Sequence, residues 1–151
     1  MTFPNIIEHD AVAQLRQQVT GDVILPGDAH YDDTRVGFNL VNDQRPAVIV
    51  VAKNAHDVVH AVNFANHVER AIGVMSTGHG YILPADDAVL IVTSQLNEIA
   101  INAEEQTAVV GAGLRWGAVL DVAQQHGLAP LLGSSPSVGV VGYTLGGGMG
   151  W

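Results

Sequence analysis

Pro46-Ala-Val-Ile-Val-Val51 and Ala71-Ile-Gly-Val-Met75, with Asn54 to Val68 between them, decide the architecture. The first run is apolar without alternation and starts at a proline. That is the pattern of a strand covered on both faces, as parallel strands are. Asn54 is placed to cap a helix, and Asp57 three residues on makes an approximate capping box. Ala55, Val58, Val59, Val62 and Ala65 then recur on one face, and the second run is a short apolar strand. Strand, helix and strand make a βαβ unit, right-handed by default.

Upstream, Glu8 to Val19 is an amphipathic helix with Val12, Leu15 and Val19 on its stripe. Thr20-Gly21 stops it, with the glycine as a C′ residue. Val23-Ile-Leu25 is a short strand, and residues 29–45 are polar with one helical turn near Tyr31–Arg35. Downstream, Ala88 to Val92 is a further buried strand. Asn97–Asn102 and Gln106–Gly111 flank Ala103-Glu-Glu105 as a β-hairpin. A helix over Arg115 to Gln125 turns Trp116, Val119, Leu120 and Ala123 inward and ends at Gly127. From Leu132 the chain reads as a glycine-rich loop with no closing strand or helix, so the sequence reads as part of a longer protein. The fold class expected is α+β.

Composition narrows the function classes. With 151 residues, 48% hydrophobic and 14% charged, the chain can build one core and is not a disordered segment. No apolar run reaches the ~18 residues that cross a bilayer. The first ten residues lack a basic stretch ahead of an apolar one, so no signal peptide is read and a cytoplasmic location is expected. Without cysteine there is no disulfide framework and no thiolate metal site. Six Lys+Arg against fifteen Asp+Glu give −9, which leaves no basic stripe for nucleic acid or an anionic membrane. The oligomeric state stays open.

Three motif-like stretches favour plain structural readings. Gly111, Gly113 and Gly117 follow GxGxxxG rather than GxGxxG, with no acidic residue about 20 positions on, so a tight strand-to-helix turn is preferred over a nicotinamide site. His56-Asp-Val-Val-His60 imitates a zinc signature, yet His56, His60, Asn63 and His67 fall opposite the apolar stripe and read as a solvated face. No metal site is expected. The serines of Gly133-Ser-Ser135 lack a nucleophile elbow.

Two segments point to a ligand. Ser76-Thr-Gly-His-Gly80 follows the second βαβ strand, where ligands of parallel sheets sit. Gly78 and Gly80 let its N–H groups converge as a nest for pyrophosphate. Seven of the seventeen glycines fall between Gly133 and Gly150, interleaved with Val138, Val140, Val141, Leu145 and Met149. Stripped backbone with that much apolar weight suits close approach to a large, flat or multiply charged ligand.

On these segments the sequence resembles the FAD-linked oxidases of the vanillyl-alcohol oxidase superfamily, in the berberine-bridge-enzyme-like branch. The likeness runs from about Pro46 to Trp151 through Arg45-Pro-Ala-Val-Ile-Val, Ser76-Thr-Gly-His-Gly, Gly111-Ala-Gly-Leu-Arg-Trp-Gly, Gly127-Leu-Ala and Ser134-Ser-Pro-Ser-Val-Gly-Val-Val-Gly-Tyr-Thr-Leu-Gly-Gly-Gly-Met-Gly-Trp. Residues 21–39 resemble the family's lead-in.

The resemblance implies an incomplete FAD-binding domain over 1–151, with a first α+β subdomain at 1–80 and the start of a second at 81–151. It implies that Ser76, Thr77, Gly78, His79 and Gly80 hold the FAD pyrophosphate side, and that His79 bonds covalently to the flavin 8α-methyl carbon. There an electrophilic quinone-methide form would meet a neutral imidazole nitrogen. Ser134, Ser135, Val138, Gly139, Gly142, Tyr143 and Gly146 would lie along the ring and pyrophosphate. Relatives often carry Arg-Ser-Gly-Gly-His where this chain has Met75-Ser-Thr-Gly-His79. Bicovalent members have a cysteine in the place of Ser135, so only the His79 link is possible here, and some place His at Tyr143. The implied activity is oxidation of a C–H of an alcohol, sugar or amine by hydride transfer to flavin N5, with molecular oxygen as acceptor. No catalytic base is identifiable in the chain. The alternative is a non-enzymatic flavin-binding module or an inactive fragment.

Overall fold

The computed structural model describes residues 7–80 and 83–149. The leader reading on residues 1–6, and Gly150 and Trp151 at the end of the glycine-rich stretch, lie outside the described residues. The class is mixed α+β: a four-stranded sheet carries the first part and a two-stranded antiparallel sheet the second. Helix α1 (His9–Gln18) leads into β1 (Asp22–Ile24), α2 (Tyr31–Arg35), β2 (Val48–Val51), α3 (Ala55–His67) and β3 (Ile72–Met75). Then come β4 (Val89–Val92), β5 (Ile99–Asn102), β6 (Thr107–Val110), α4 (Trp116–Ala123) and α5 (Val140–Leu145).

The first sheet has the order β1-β2-β4-β3. β2 and β3 both run parallel to β4, and β1 pairs antiparallel with β2. The expected βαβ unit is therefore not a pair of neighbours: β4 is inserted between its strands. It also carries the first sheet past the expected division at 80/81. Val48, Ile49, Val50, Val89, Leu90 and Ile91 are at most 1% exposed. Each such side chain stabilises the fold by about 1.5–3 kcal/mol. Successive residues face opposite sides. Val48, Val50, Val89 and Ile91 meet α1 and α3 through Leu15, Ala61, Phe64 and Ala65. Ile49, Val51, Leu90 and Val92 meet Tyr31, Met75, Ala85 and Ala88. β3 is an edge strand, with Val74 largely exposed.

Two local readings shift. On α3, Ala55 and Val59 face solvent, and the buried stripe is Asp57, Ala61, Phe64 and Ala65. It starts on a carboxylate, so an apolar count misses its phase. α1 ends at an extended Val19 rather than on a left-handed glycine. Gly21 is required for another reason: a Cβ there would lie 1.9 Å from the Val51 carbonyl oxygen. Asn54 does cap α3, accepting from Asp57 N at 3.0 Å. Asp57 does more than complete a box, because its carboxylate accepts from Thr20 N at 2.8 Å, Gly21 N at 3.0 Å and Lys53 N at 2.9 Å, and from the Thr20 hydroxyl.

In the second part, β5 and β6 form the expected hairpin, turned by Asn102, whose side-chain oxygen accepts from Glu104 N and Glu105 N. Leu114, Trp116, Val119 and Val140 make a third core. Val140–Leu145 is helical, which corrects the reading of the glycine-rich stretch as loop throughout. Val140 is buried and supplies the apolar anchor for that turn.

Candidate functional site

β3 and β4 end together, with Met75 opposite Val92, at the C-terminal edge of the parallel strands. Ser76 to Gly80 leave the sheet there. Gly78 sits in the left-handed region at φ +67°, and a Cβ on it would lie 2.5 Å from the Gly37 Cα. The closeness comes from a clamp: Phe38 N donates to Thr77 O at 2.9 Å and Asn39 N to Gly78 O at 3.0 Å. Thr77 needs no left-handed backbone; among the described residues only Glu69, Asp87 and Gln106 adopt positive φ with a side chain. Met75 faces the core, and its sulfur takes the Gln44 amide at 3.4 Å. Gly78→Ala is expected to destabilise the protein by about 1–3 kcal/mol, measured by urea unfolding. Gly80, with open space around its Cα, is the control. Equal losses at Gly78→Ala and Gly80→Ala would contradict the clamp.

The loop forms one wall of a cavity of about 420 Å³, within the size range of ligand pockets. Its lining brings together Ser76, Thr77, Gly78, His79 and Gly80 with Val138, Gly139, Gly142, Tyr143 and Gly146. Gly148, Val74 and Met75 complete it. Ser134 and Ser135 are not on this wall: Ser134 is exposed, and the Ser135 hydroxyl lies 2.9 Å from that of Ser137. A wider cavity, about 1160 Å³, opens between α1, Tyr31, Arg45 to Ala47 and Arg70, away from both segments.

His79 is held on three sides. Nδ1 lies 2.8 Å from the Thr77 hydroxyl and Nε2 3.2 Å from the Ser137 hydroxyl. The Phe38 ring stacks on the imidazole with centroids 4.0 Å apart and planes 7° from parallel. Burial pushes the imidazole pKa below its ordinary value, and the Arg115 charge adds to this. At neutral pH the ring is thus neutral, with a nitrogen lone pair to share. Phe38 and Ser137 escaped the sequence reading. Ser137 had a faint signal, its position between two residues already singled out; Phe38 had none, since its partners Thr77 and His79 are far off in the chain.

The donor set fits FAD. The Ser76 hydroxyl oxygen is buried on the cavity wall with no hydrogen-bond partner among the described residues. Such an orphan costs about 1–3 kcal/mol unless a ligand atom satisfies it. A phosphate oxygen would do so, and the side-chain-poor wall opposite admits a flat ring. The other candidate turn offers no such nest: Gly111 N and Gly113 N are consumed by Glu98 O and Leu96 O, each at 2.7 Å. On α3, His56, Asn63 and His67 are exposed and His60 is half-buried. No helix among the described residues is long and apolar enough to cross a membrane.

Comparison with known proteins follows this geometry. The family model described as an FAD binding domain matches residues 46–151. An FAD-linked oxidoreductase of Bacillus subtilis is 31% identical over 136 residues, covering 88% of this chain and 30% of its own length. The (R)-6-hydroxynicotine oxidase of Paenarthrobacter nicotinovorans is 32% identical over 136 residues, covering 88% and 30%. The crystal structure of the BBE-like 1 protein of Physcomitrella patens superposes with a TM-score of 0.75 at 26% identity, covering 89% of this chain and 30% of that one. The chain spans about 30% of the length of these curated relatives.

Proposed function

Because the chain belongs to the FAD-binding-domain family, we propose that it is the flavin-gripping part of an FAD-dependent oxidoreductase, with the cofactor in the cavity between the His79 loop and the glycine-rich segment. The observation that carries this is the joining of the two segments around one cavity, with an orphaned hydroxyl on its wall.

Ser76 would donate to a phosphate oxygen, and the backbone of Thr77 to Gly80 would face the pyrophosphate. Val138, Gly139, Gly142, Tyr143 and Gly146 would border the ring. Ser135 would act from behind, through the Ser137 hydroxyl that meets His79. His79 is the proposed covalent anchor. Its imidazole N–H would be exchanged for a bond to the flavin 8α-methyl carbon, and the two electrons and two protons released would pass to dioxygen as hydrogen peroxide. Bound there, the flavin supplies hydride acceptance from a C–H bond and electron transfer to oxygen. The substrate class is an alcohol, a sugar or an amine; the hydroxynicotine oxidase relative makes the amine the first to try. A cytoplasmic location belongs to the same proposal, as does a division into two subdomains, which the inserted β4 moves from residue 80 to beyond Val92.

The test is to purify the protein at its natural length, record its visible spectrum, and follow peroxide release with alcohols, sugars and amines. Flavin absorbance with peroxide from one class supports the enzyme. Flavin without peroxide from any class favours the non-enzymatic module. NADH binding without flavin overturns the proposal.

A further inference from the structure

The Phe38 stack stands outside every role assigned so far. Phe38 is an aromatic residue left 68% exposed, which apolar burial alone does not explain. It is nevertheless fixed at its backbone, by the Phe38 N to Thr77 O bond, with Asn39 N to Gly78 O beside it. The Gly37 and Gly78 backbones meet so closely that neither tolerates a Cβ. The segment therefore carries Phe38 rigidly against the His79 loop, and the ring lies flat on the imidazole.

Consider what this does to His79. The two hydroxyls, from Thr77 and Ser137, contact the two ring nitrogens. Two contacts at the ring's edge leave it free to tip about the axis joining them. A stacked aromatic at 4.0 Å removes that freedom and shields one face from water. We propose that Phe38 is a positioning residue for His79: it fixes the imidazole plane and dries one face, so that the ring is held in one orientation at the cavity wall. This rests on the proposed flavin site and adds the residue that readies its anchor.

The electrostatic surroundings agree. Residues 37–39 and 135–139 carry no titratable side chain. The Arg115 guanidinium, just ahead of α4, disfavours the imidazolium, as burial does. Removing the Phe38 ring returns water to one face and weakens the burial contribution while leaving Arg115 in place.

The experiment uses the natural-length protein, as wild type, Phe38→Ala and Phe38→Tyr. The first readout is the His79 titration followed by NMR in the flavin-free protein. The second is the rate at which added FAD becomes resistant to acid release. Phe38→Ala is expected to raise the His79 pKa toward its ordinary value and to slow attachment at least several-fold. Phe38→Tyr, which keeps the stack, is expected to restore both. An unmoved titration, or attachment by Phe38→Ala at the wild-type rate, overturns the proposal. A purely structural role would lower thermal stability without moving either readout. Wild type that takes up no flavin sinks the functional reading itself, whereas flavin attached at the same rate by wild type and Phe38→Ala sinks only the role of Phe38.

Discussion

His79→Ala is expected to abolish acid-resistant flavin: after precipitation, wild type keeps its yellow colour in the pellet and the variant releases all of it. The expectation follows from the state of the ring. A neutral imidazole has a lone pair on one nitrogen; an imidazolium has none. Burial and Arg115 both lower the pKa, so the neutral form persists to lower pH than in a free imidazole. Attachment should accordingly slow as pH falls through the folded-state pKa. The variant should still bind FAD loosely, because Ser76 and the glycine-rich wall are untouched. Equal flavin release by wild type and variant would contradict covalent anchoring while leaving the binding site standing.

Asp57→Ala is expected to cost about 3–5 kcal/mol of stability, the range for stranding several buried donors of one charged acceptor. Asp57 is 1% exposed. Its carboxylate ties the end of α1, through Thr20 and Gly21, to Lys53 at the start of α3. Burial raises its pKa, but the hydrogen bonds from Lys53, Thr20 and Gly21 outweigh that and hold it below the ordinary 3.8. The sign follows: the contribution is complete above the unfolded-state pKa and disappears as pH drops through the lower folded-state value. Urea unfolding should therefore show a large gap between wild type and Asp57→Asn at pH 7 that narrows in acid. A pH-independent gap would contradict the assignment.

Much of this architecture was legible because its signals are local. Buried strands announce themselves as unbroken apolar runs, so Pro46–Val51 and Ala88–Val92 were readable one by one. Their neighbours were not: nothing in Ala88–Val92 says that it inserts between β2 and β3. The hairpin and the Asn54 cap depend on residues within a few positions of each other and were read correctly. Asp57 shows the limit, since its cap was visible and its partners 36 and 37 residues away were not.

The site divides along the same line. His79, its flanking glycines and the stretch near Gly139 carry unusual composition, and the fold brings them to one cavity. Ser134 and Ser135 share that composition, but the chain turns them off the wall. Phe38 has no compositional mark; its importance arises from backbone pairing between two distant loops. The helix inside the glycine-rich stretch was hidden because glycine disfavours helices, while Val140 anchors the turn through burial in the third core.

A crystal structure of the natural-length protein purified with its flavin tests the central claim most directly. The result expected is pyrophosphate against Ser76 to Gly80, with the ring between His79 and the Val138–Tyr143 backbone. Flavin seated in the wider cavity beside α1, or touching only one of the two segments, would contradict it.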